Sequence, residues 1–188
     1  MADMDRQDRS VGQSNDQSTA RKSRGIFILR AVLGFGFLFA GLDKLLMWAG
    51  AQFTAAGYLQ FATGGAWLNS TGVVNPTHDF WVSLGKNEAA VNVINTLVVF
   101  GEIAIGTALI LGLATRFAAV CGVLMMALFY VSSWSFATGP FNEQLMYGVV
   151  AGTIAYVGAG AYALDSILAR SFGRVPVLKY ALGADTRA

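Results

Sequence analysis

The sequence predicts an all-α integral membrane protein built as a bundle of four transmembrane helices, and three observations support this prediction. Hydrophobic residues make up 55% of the 188 positions and charged residues only 13%, whereas about a quarter of the residues in soluble domains are charged. Four apolar stretches are each at least as long as the roughly 20 residues that cross a bilayer. The basic residues gather near the ends of these stretches. A soluble bundle is disfavoured, because it would need a polar face on every helix.

The chain divides into two tails and a membrane domain. Residues 1–24 are polar and lack the apolar core of a signal peptide, which predicts a disordered cytoplasmic tail. Residues 25–170 are predicted to form the membrane domain, and residues 171–188 a cytoplasmic C-terminal tail. Inside lipid, backbone polar groups must be satisfied within their own segment, so the apolar stretches are predicted to be helical. Their bounds are residues 25–48, 91–113, 117–137 and 144–168.

The basic residues predict the orientation in the membrane. They precede the first helix, separate the second from the third, and follow the fourth: Arg21, Lys22 and Arg24; Arg116; and Arg170, Arg174 and Lys179. An even number of helices places all of them on one side, which the positive-inside rule makes cytoplasmic. Both termini are therefore predicted to lie in the cytoplasm.

A long loop, residues 49–90, is predicted on the outer side. Residues 51–68 mix aromatic side chains with small and polar ones, a pattern typical of a helix that lies at the interface or re-enters the membrane. Phe80 and Trp81 have the character of interfacial aromatics. Two interpretations stay open, a lid packed over the mouth of the bundle and a segment that contacts substrate.

Cysteine and histidine limit the redox chemistry that the chain can support by itself. The sequence contains one cysteine, Cys121, and one histidine, His78. It therefore cannot form an internal disulfide, a bis-histidine haem site or a zinc site from His and Cys. No covalently bound cofactor is predicted, and electron transfer would use a bound organic cofactor or one held by a partner. The basic residues are too scattered to predict binding of nucleic acid.

Glu102 lies at the midpoint of the second predicted helix. Ionisable residues at such depth are costly and are functional candidates by default. A lone carboxylate there is expected to be protonated, so that it could relay a proton or donate a hydrogen bond to the carbonyl of a quinone. The alternative is a structural hydrogen bond to a neighbouring helix, for which Tyr130 and Tyr156 lie at suitable depths. Asn95 shares the helical face of Glu102 and extends a polar stripe outward.

Two further groups of polar residues lie near the ends of the predicted helices. Arg30 and Asp165 are near the cytoplasmic ends of the first and fourth helices, where an ion pair would neutralise both and Arg116 could join them. This trio is interpreted as structural.

Lys44 lies at the outer end of the first helix. It either reaches the outer interface or faces a mouth shared with Lys86 and His78, which could attract a small anion. Simple anchoring of the helix end is the favoured interpretation.

Three motifs occur in order along the chain. Arg30 precedes LGFGFLFAGLDKL, followed by GEIAIGTALILGLATR and then GAGAYALDSIL. Together they resemble the DoxX/DoxD family of small four-helix membrane proteins over roughly residues 25–170. The chain departs from the family pattern at residues 141–143, Phe-Asn-Glu, where a Lys-Asn pair is frequent. The long outer loop is similar to that of the DoxD-type branch. The residues that match the family's positions are Arg30, Gly41, Lys44, Glu102, Gly106, Gly112, Arg116 and Asp165.

The resemblance implies a subunit of a quinone-linked redox system in the plasma membrane of a bacterium or archaeon. In the best-known relatives, thiosulfate is oxidised to tetrathionate and the electrons pass to a quinone. Glu102 is then the candidate catalytic residue, beside a groove for the quinone headgroup or a small solute. The candidates to line it are Asn95, Tyr130, Tyr156, Lys44, Lys86 and His78.

Two alternatives stay open. The bundle could anchor a soluble redox enzyme or a sulfurtransferase at the membrane. It could also be a small-solute permease in which Glu102 couples transport to protons. Four helices without internal repeats would favour a permease only as a homo-oligomer.

Overall fold

A computed structural model describes most of the chain, and all regular secondary structure in the described part is helical. The described residues are 2–49, 53–62, 75–133, 140–160 and 162–165. A π-helical turn, Tyr58–Ala62, continues the second α-helix. The α-helices of the described part are α1 Ala2–Ala49, α2 Ala55–Gly57, α3 His78–Lys86, α4 Glu88–Leu111, α5 Thr115–Ser133 and α6 Glu143–Val157.

Three of these helices are long and apolar enough to cross a membrane. They are α4, α5 and the part of α1 from Gln17 to Leu46. The chain is therefore a multi-pass membrane protein. α6 has 15 residues, which rise about 22 Å along the helix axis and fall short of the ~30 Å hydrocarbon core. In the described residues the structure thus shows three of the four predicted spans. The cytoplasmic position of both termini, which depends on an even count, stays a prediction.

The fourth predicted helix, residues 144–168, is interrupted in the structure. α6 ends at Val157, and the Gly158 N–H donates to Ile154 O over 2.8 Å. Positive φ angles follow at Gly158 (99°), Gly160 (67°) and Tyr162 (55°). A right-handed helix cannot continue through such angles, which glycine adopts at little cost. The pair of glycines therefore ends the helix, although the segment is mostly apolar.

The predicted disordered tail is helical from Ala2 onward in the structure, since α1 begins at that residue. Residues 1–24 contain no proline, and extending a helix costs far less than nucleating one. The long apolar span supplies the nucleus, and the polar turns continue from it. Their described side chains from Gln17 to Lys22 are exposed. The polar composition therefore agrees with the exposure of these side chains. It did not predict that the backbone of the tail is helical.

The three candidate membrane spans and α6 pack around a common interior. α1 contacts α4 and α6, α4 contacts α5, and α5 contacts α6. The apolar core between them is formed by Leu33, Phe37, Ile105, Leu109, Ala118, Ala119, Met126, Ala151 and Ile154. These side chains come from all four helices, so each of the helices contributes one face to a common interior.

Glycines bring α1 and α4 into close contact. A Cβ atom on Gly34 would lie 2.9 Å from Gly106 O, and one on Gly41 would lie 2.9 Å from Ile103 N. Both distances are shorter than real Cβ contacts, so side chains at these positions would push the backbones apart. Small residues commonly permit such approach between membrane helices. The close packing determines which polar side chains on the two helices can meet.

The segment between α1 and α4 folds back onto the bundle. We call residues 53–62 and 75–87 the lid. Its Ala55 N–H donates to Asn95 Oδ1 over 2.7 Å, and the Tyr58 hydroxyl lies 3.1 Å from Ser132 Oγ. Asn75 Nδ2 donates to the carbonyl of Ser132 over 2.9 Å. These bonds tie the lid to α4 and α5, which is the packing expected of a lid over the bundle. The predicted interfacial or re-entrant helix falls partly on residues 63–74, outside the described residues.

Candidate functional site

One face of α1 carries two basic residues into the interior. Arg30, Gly34, Phe37, Gly41 and Lys44 follow one another at intervals of four, three, four and three residues, which places them on one side of a helix. Arg30 is fully buried, Phe37 and Gly41 are buried, and Lys44 is half-buried. This spacing is the signal that Lys44 faces the bundle.

The buried face of α4 is polar at two positions. Val91, Asn95, Val99, Glu102 and Gly106 recur at intervals of three or four residues, and all of them are buried. The prediction that Asn95 and Glu102 share a helical face therefore describes the inward face of α4. Because glycines bring α1 and α4 together, this face meets the basic face of α1.

Lys44 and Glu102 form an ion pair across these two helices. Lys44 Nζ donates to Glu102 Oε1 over 3.0 Å and to Oε2 over 2.8 Å. Only 4% of the Glu102 side chain is exposed, against 25% of the Lys44 side chain. The expectation of a lone carboxylate is therefore wrong. Side chains on a helix lean toward its N-terminus, so Lys44 leans back past the carbonyl of Ala40 instead of reaching the outer interface.

The structure does not bring the two predicted tyrosines to Glu102. The Tyr130 hydroxyl donates to Pro140 O over 3.0 Å. Tyr156 is 87% exposed, because the inward face of α6 is formed by Ala151 and Ile154. Depth along a helix was the only basis for both candidates, and depth does not determine the face on which a side chain lies.

His78 and Lys86 do not join Lys44 in an anion site. They lie at the two ends of α3, about 12 Å apart along the helix axis. Lys86 is exposed, whereas Lys44 Nζ is bound to Glu102. The favoured interpretation, in which Lys44 simply anchors the end of α1, also differs from the structure, because Lys44 forms an ion pair with Glu102.

Arg30 binds the interrupted end of α6. Its guanidinium donates through Nη1 to Ala159 O and through Nη2 to Tyr162 O, the latter over 3.1 Å. Both carbonyls belong to residues beyond Val157, the last residue of α6. Arg30 lies near enough to Asp165 to interact with it electrostatically, and the ion pair between them stays a prediction. Arg116 is half-buried in the first turn of α5.

Asp165 caps α5 from a distant part of the chain. Its Oδ1 accepts from the Ala114 N–H over 2.6 Å and its Oδ2 from the Thr115 N–H over 2.8 Å. The Asp165 N–H in turn donates to Gly112 O over 2.9 Å. A carboxylate at a helix N-terminus satisfies free N–H groups and interacts favourably with the helix dipole. We call Arg30 and Asp165 with their backbone partners the clamp, which joins α1, α5 and the end of α6.

Replacing Asp165 with Asn is expected to lower the free energy of unfolding by about 1.5–3 kcal/mol, the range for hydrogen bonds to a charged group. The reaction of Cys121 with a thiol reagent during thermal unfolding in detergent measures this change, because Cys121 is the only cysteine and is partly buried. Glu143→Gln is the matched control, since Glu143 is exposed at the start of α6. Equal midpoints for native chain and Asp165→Asn would show that the cap contributes nothing.

Asn75 and Ser132 are polar anchors that the sequence patterns do not identify. Asn75 is 3% and Ser132 is 2% exposed, and both hold the lid on the end of α5. Asn75 precedes Pro76, a dipeptide typical of a turn. The turn itself is therefore recognisable from sequence. Its partner on α5 is not, because nothing local relates the two segments.

The Lys44–Glu102 pair offers both a donor and an acceptor inside an apolar bundle. Lys44 can donate to a carbonyl or anionic oxygen, and Glu102 can receive or supply a proton. Such groups act strongly where water is scarce, since the local dielectric is low. In the described part of the chain, no group of three or more His, Cys, Asp or Glu residues could hold a metal ion. Because Lys44 is a donor and Glu102 can exchange a proton, the pair is chemically suited to a ligand with oxygen acceptors.

These features define a multi-pass membrane protein with an acid–base pair buried between two of its helices. A family model described as TQO small subunit DoxD matches residues 26–182. This match covers most of the chain, so the chain belongs to the DoxD family and the predicted resemblance is confirmed. No curated protein and no solved structure is similar enough to count as a match. Both Lys44 and Glu102 lie within the matched residues.

Proposed function

We propose that this chain is the membrane-integral subunit of a quinone oxidoreductase of the plasma membrane, and that the Lys44–Glu102 pair binds the quinone headgroup. The observation that carries the proposal is the pair itself. Its carboxylate is 4% exposed, while a quarter of the lysine side chain stays accessible. A ligand can thus reach Lys44 while Glu102 stays shielded from solvent. The family description supports a quinone-linked system with a reduced sulfur compound, such as thiosulfate, as electron donor.

In the proposed reaction, electrons and protons balance between thiosulfate and the quinone, and a second subunit carries the electrons. Two thiosulfate ions join through a new sulfur–sulfur bond to give tetrathionate and release two electrons. One quinone takes up those two electrons and two protons to become the quinol. The described residues of this chain supply acid–base groups, and a partner subunit supplies the electron path. A chain described as a small subunit implies a larger one, and the exposed polar turns of α1 offer a surface for it.

In this reaction Lys44 and Glu102 have separate roles. Lys44 donates a hydrogen bond to one carbonyl oxygen of the quinone, and this bond strengthens as negative charge builds up on that oxygen. Glu102 holds the lysine in place through both carboxylate oxygens. It also accepts and passes on the proton that the reduced oxygen requires. The two side chains therefore act as one proton-exchanging unit.

Replacing Glu102 with Gln is expected to lower thiosulfate-dependent quinone reduction by about 100-fold or more, the usual contribution of a general acid–base group. Glutamine keeps the size of the side chain but cannot exchange a proton. The assay uses membranes of cells in which the variant replaces the native chain, so the partner subunit is present. It follows quinone absorbance after thiosulfate is added.

Thr107→Val is the matched control, because Thr107 lies on the exposed face of α4 and this change should leave turnover near the native rate. The amount of Glu102→Gln protein in the membrane, measured by immunoblot, separates lost activity from lost protein. Native turnover in a Glu102→Gln chain present at normal level would disprove the catalytic role.

A further inference from the structure

One side of α1 is exposed along the whole span Gln17–Leu46. Its side chains follow one another at intervals of three or four residues, which places them on a single side of the helix. All of them are exposed, and the apolar ones are between 42% and 75% exposed. We call this set the α1 ridge: Arg21, Arg24, Ile28, Val32, Phe35, Phe39, Leu42 and Leu46.

The two ends of the α1 ridge differ in charge. Arg21 and Arg24 lie at one end with the exposed Lys22 beside them, and the exposed Asp43 adjoins the other end. The sequence has no Asp or Glu between Asp16 and Asp43, so no carboxylate lies within one helical turn of the three cations on α1. In the part of the chain whose side chains the structure describes, no carboxylate forms an ion pair with them. Their charge is therefore available to an external anion.

The spacing along the α1 ridge matches the length of one lipid leaflet. Phe35 lies eleven positions after Arg24, a rise of about 16 Å along the helix axis. Half of the ~30 Å hydrocarbon core is about 15 Å. When Arg24 is at the level of the headgroups, the apolar side chains up to Phe35 thus face the acyl chains of the same leaflet. Arginine is well suited to the phosphate of such a headgroup, because its guanidinium can donate two parallel hydrogen bonds.

A hollow interrupts the apolar surface beside the ridge. Phe35 and Phe39 stack one turn apart, with their ring centroids 6.3 Å from each other. The neighbouring Gly36 is exposed, and a Cβ atom on it would meet nothing within 4 Å. An acyl chain can therefore lie against the backbone of α1 at this position, next to the two rings.

We propose that the α1 ridge binds an anionic phospholipid, whose phosphate lies at Arg21 and Arg24 and whose acyl chain follows the apolar ridge to the hollow at Gly36. Three cations without nearby carboxylates select a negative headgroup over a zwitterionic one. Asp43 disfavours the same headgroup at the other end, so the site belongs to one leaflet. It is separate from the Lys44–Glu102 pair, which lies on the buried side of α1, and does not depend on the proposed function.

The test measures which lipid contacts the ridge. Cys121→Ser removes the only native thiol, and Val32→Cys supplies a new one for a bimane fluorophore. The full-length chain is placed in phosphatidylcholine vesicles that contain a small fraction of brominated lipid, which quenches the fluorophore on contact. The brominated lipid is either phosphatidylglycerol or phosphatidylcholine. The ratio of their quenching constants is the preference for the anionic headgroup.

Phosphatidylglycerol should quench the label at Val32→Cys more strongly than phosphatidylcholine. Arg24→Gln should lower this preference by up to about fivefold, the largest change expected for one basic residue near an anionic surface. Lys86→Gln is the matched control, because Lys86 is exposed on the lid, and it should leave the preference unchanged. A label at Leu42→Cys, beside Asp43, should show no preference for phosphatidylglycerol.

Three results would overturn the proposal. Equal quenching by both lipids at Val32→Cys would show that the ridge does not select a headgroup. No quenching by either lipid would show that a partner or a second copy of the chain covers the ridge. Adding Ser18→Lys to Arg24→Gln restores the net charge about 9 Å farther along α1. Full recovery of the preference in that chain would show a diffuse surface potential instead of a bound headgroup.

Discussion

Replacing Lys44 with Met is expected to lower the free energy of unfolding by about 3–5 kcal/mol, the cost of breaking a buried ion pair by removing one partner. Methionine fills a similar volume, so packing changes little. The Glu102 carboxylate, 4% exposed, then has no cation beside it and is not accessible enough to be hydrated. Thermal unfolding in detergent, followed by the reactivity of Cys121, measures the change.

The two partners should respond unequally. Glu102→Gln leaves Lys44 without its partner, but the Lys44 side chain is 25% exposed and can extend toward water. Its loss of stability should therefore be smaller than that of Lys44→Met. The double variant should recover much of the stability, since it leaves no uncompensated charge. Lys22→Met on the exposed part of α1 is the control, and an equal response to Lys22→Met and Lys44→Met would contradict a buried pair.

Replacing Gly106 with Ala is expected to destabilise the bundle by about 3 kcal/mol, at the upper end of the range for overpacking. A Cβ atom there would lie 2.7 Å from Gly34 O and 2.8 Å from Leu38 Cα. Both are backbone atoms of α1, so no side-chain rotation relieves the clash and the two helices must separate. Separation also lengthens the Lys44–Glu102 contact. Unfolding midpoints in detergent test stability, and thiosulfate-dependent quinone reduction in membranes should fall as well.

Two other glycines serve as controls for this prediction. A Cβ atom on Gly36 would meet nothing within 4 Å, and one on Gly101 would meet only Met125 Cε at 2.7 Å. Met125 can rotate, because its thioether chain is flexible. Gly36→Ala and Gly101→Ala should therefore keep nearly native stability. If Gly106→Ala unfolds at the same temperature as Gly36→Ala, close packing of α1 on α4 does not hold the bundle together.

Much of the candidate site can be read from spacing along the chain. Glu102 stands out because a carboxylate in the middle of an apolar stretch is expensive, and Asn95 follows from the helical period. The intervals from Arg30 to Lys44 also place both basic residues on one face of a helix. The pairing of Lys44 with Glu102 cannot be read from spacing alone, because the two residues are 58 positions apart in the sequence. It depends on how α1 and α4 are rotated and at what depth they meet.

The sequence by itself determined that this chain is helical and crosses a membrane. Hydropathy and segment length are local properties, and they decide whether a segment can span the bilayer as a helix. It also placed the motifs that identify the family. Only the tertiary structure decided that α6 ends at Val157, that Asp165 caps α5, and that Lys44 leans inward to Glu102. These depend on contacts between distant segments, where close approach at a few glycines determines which polar groups meet.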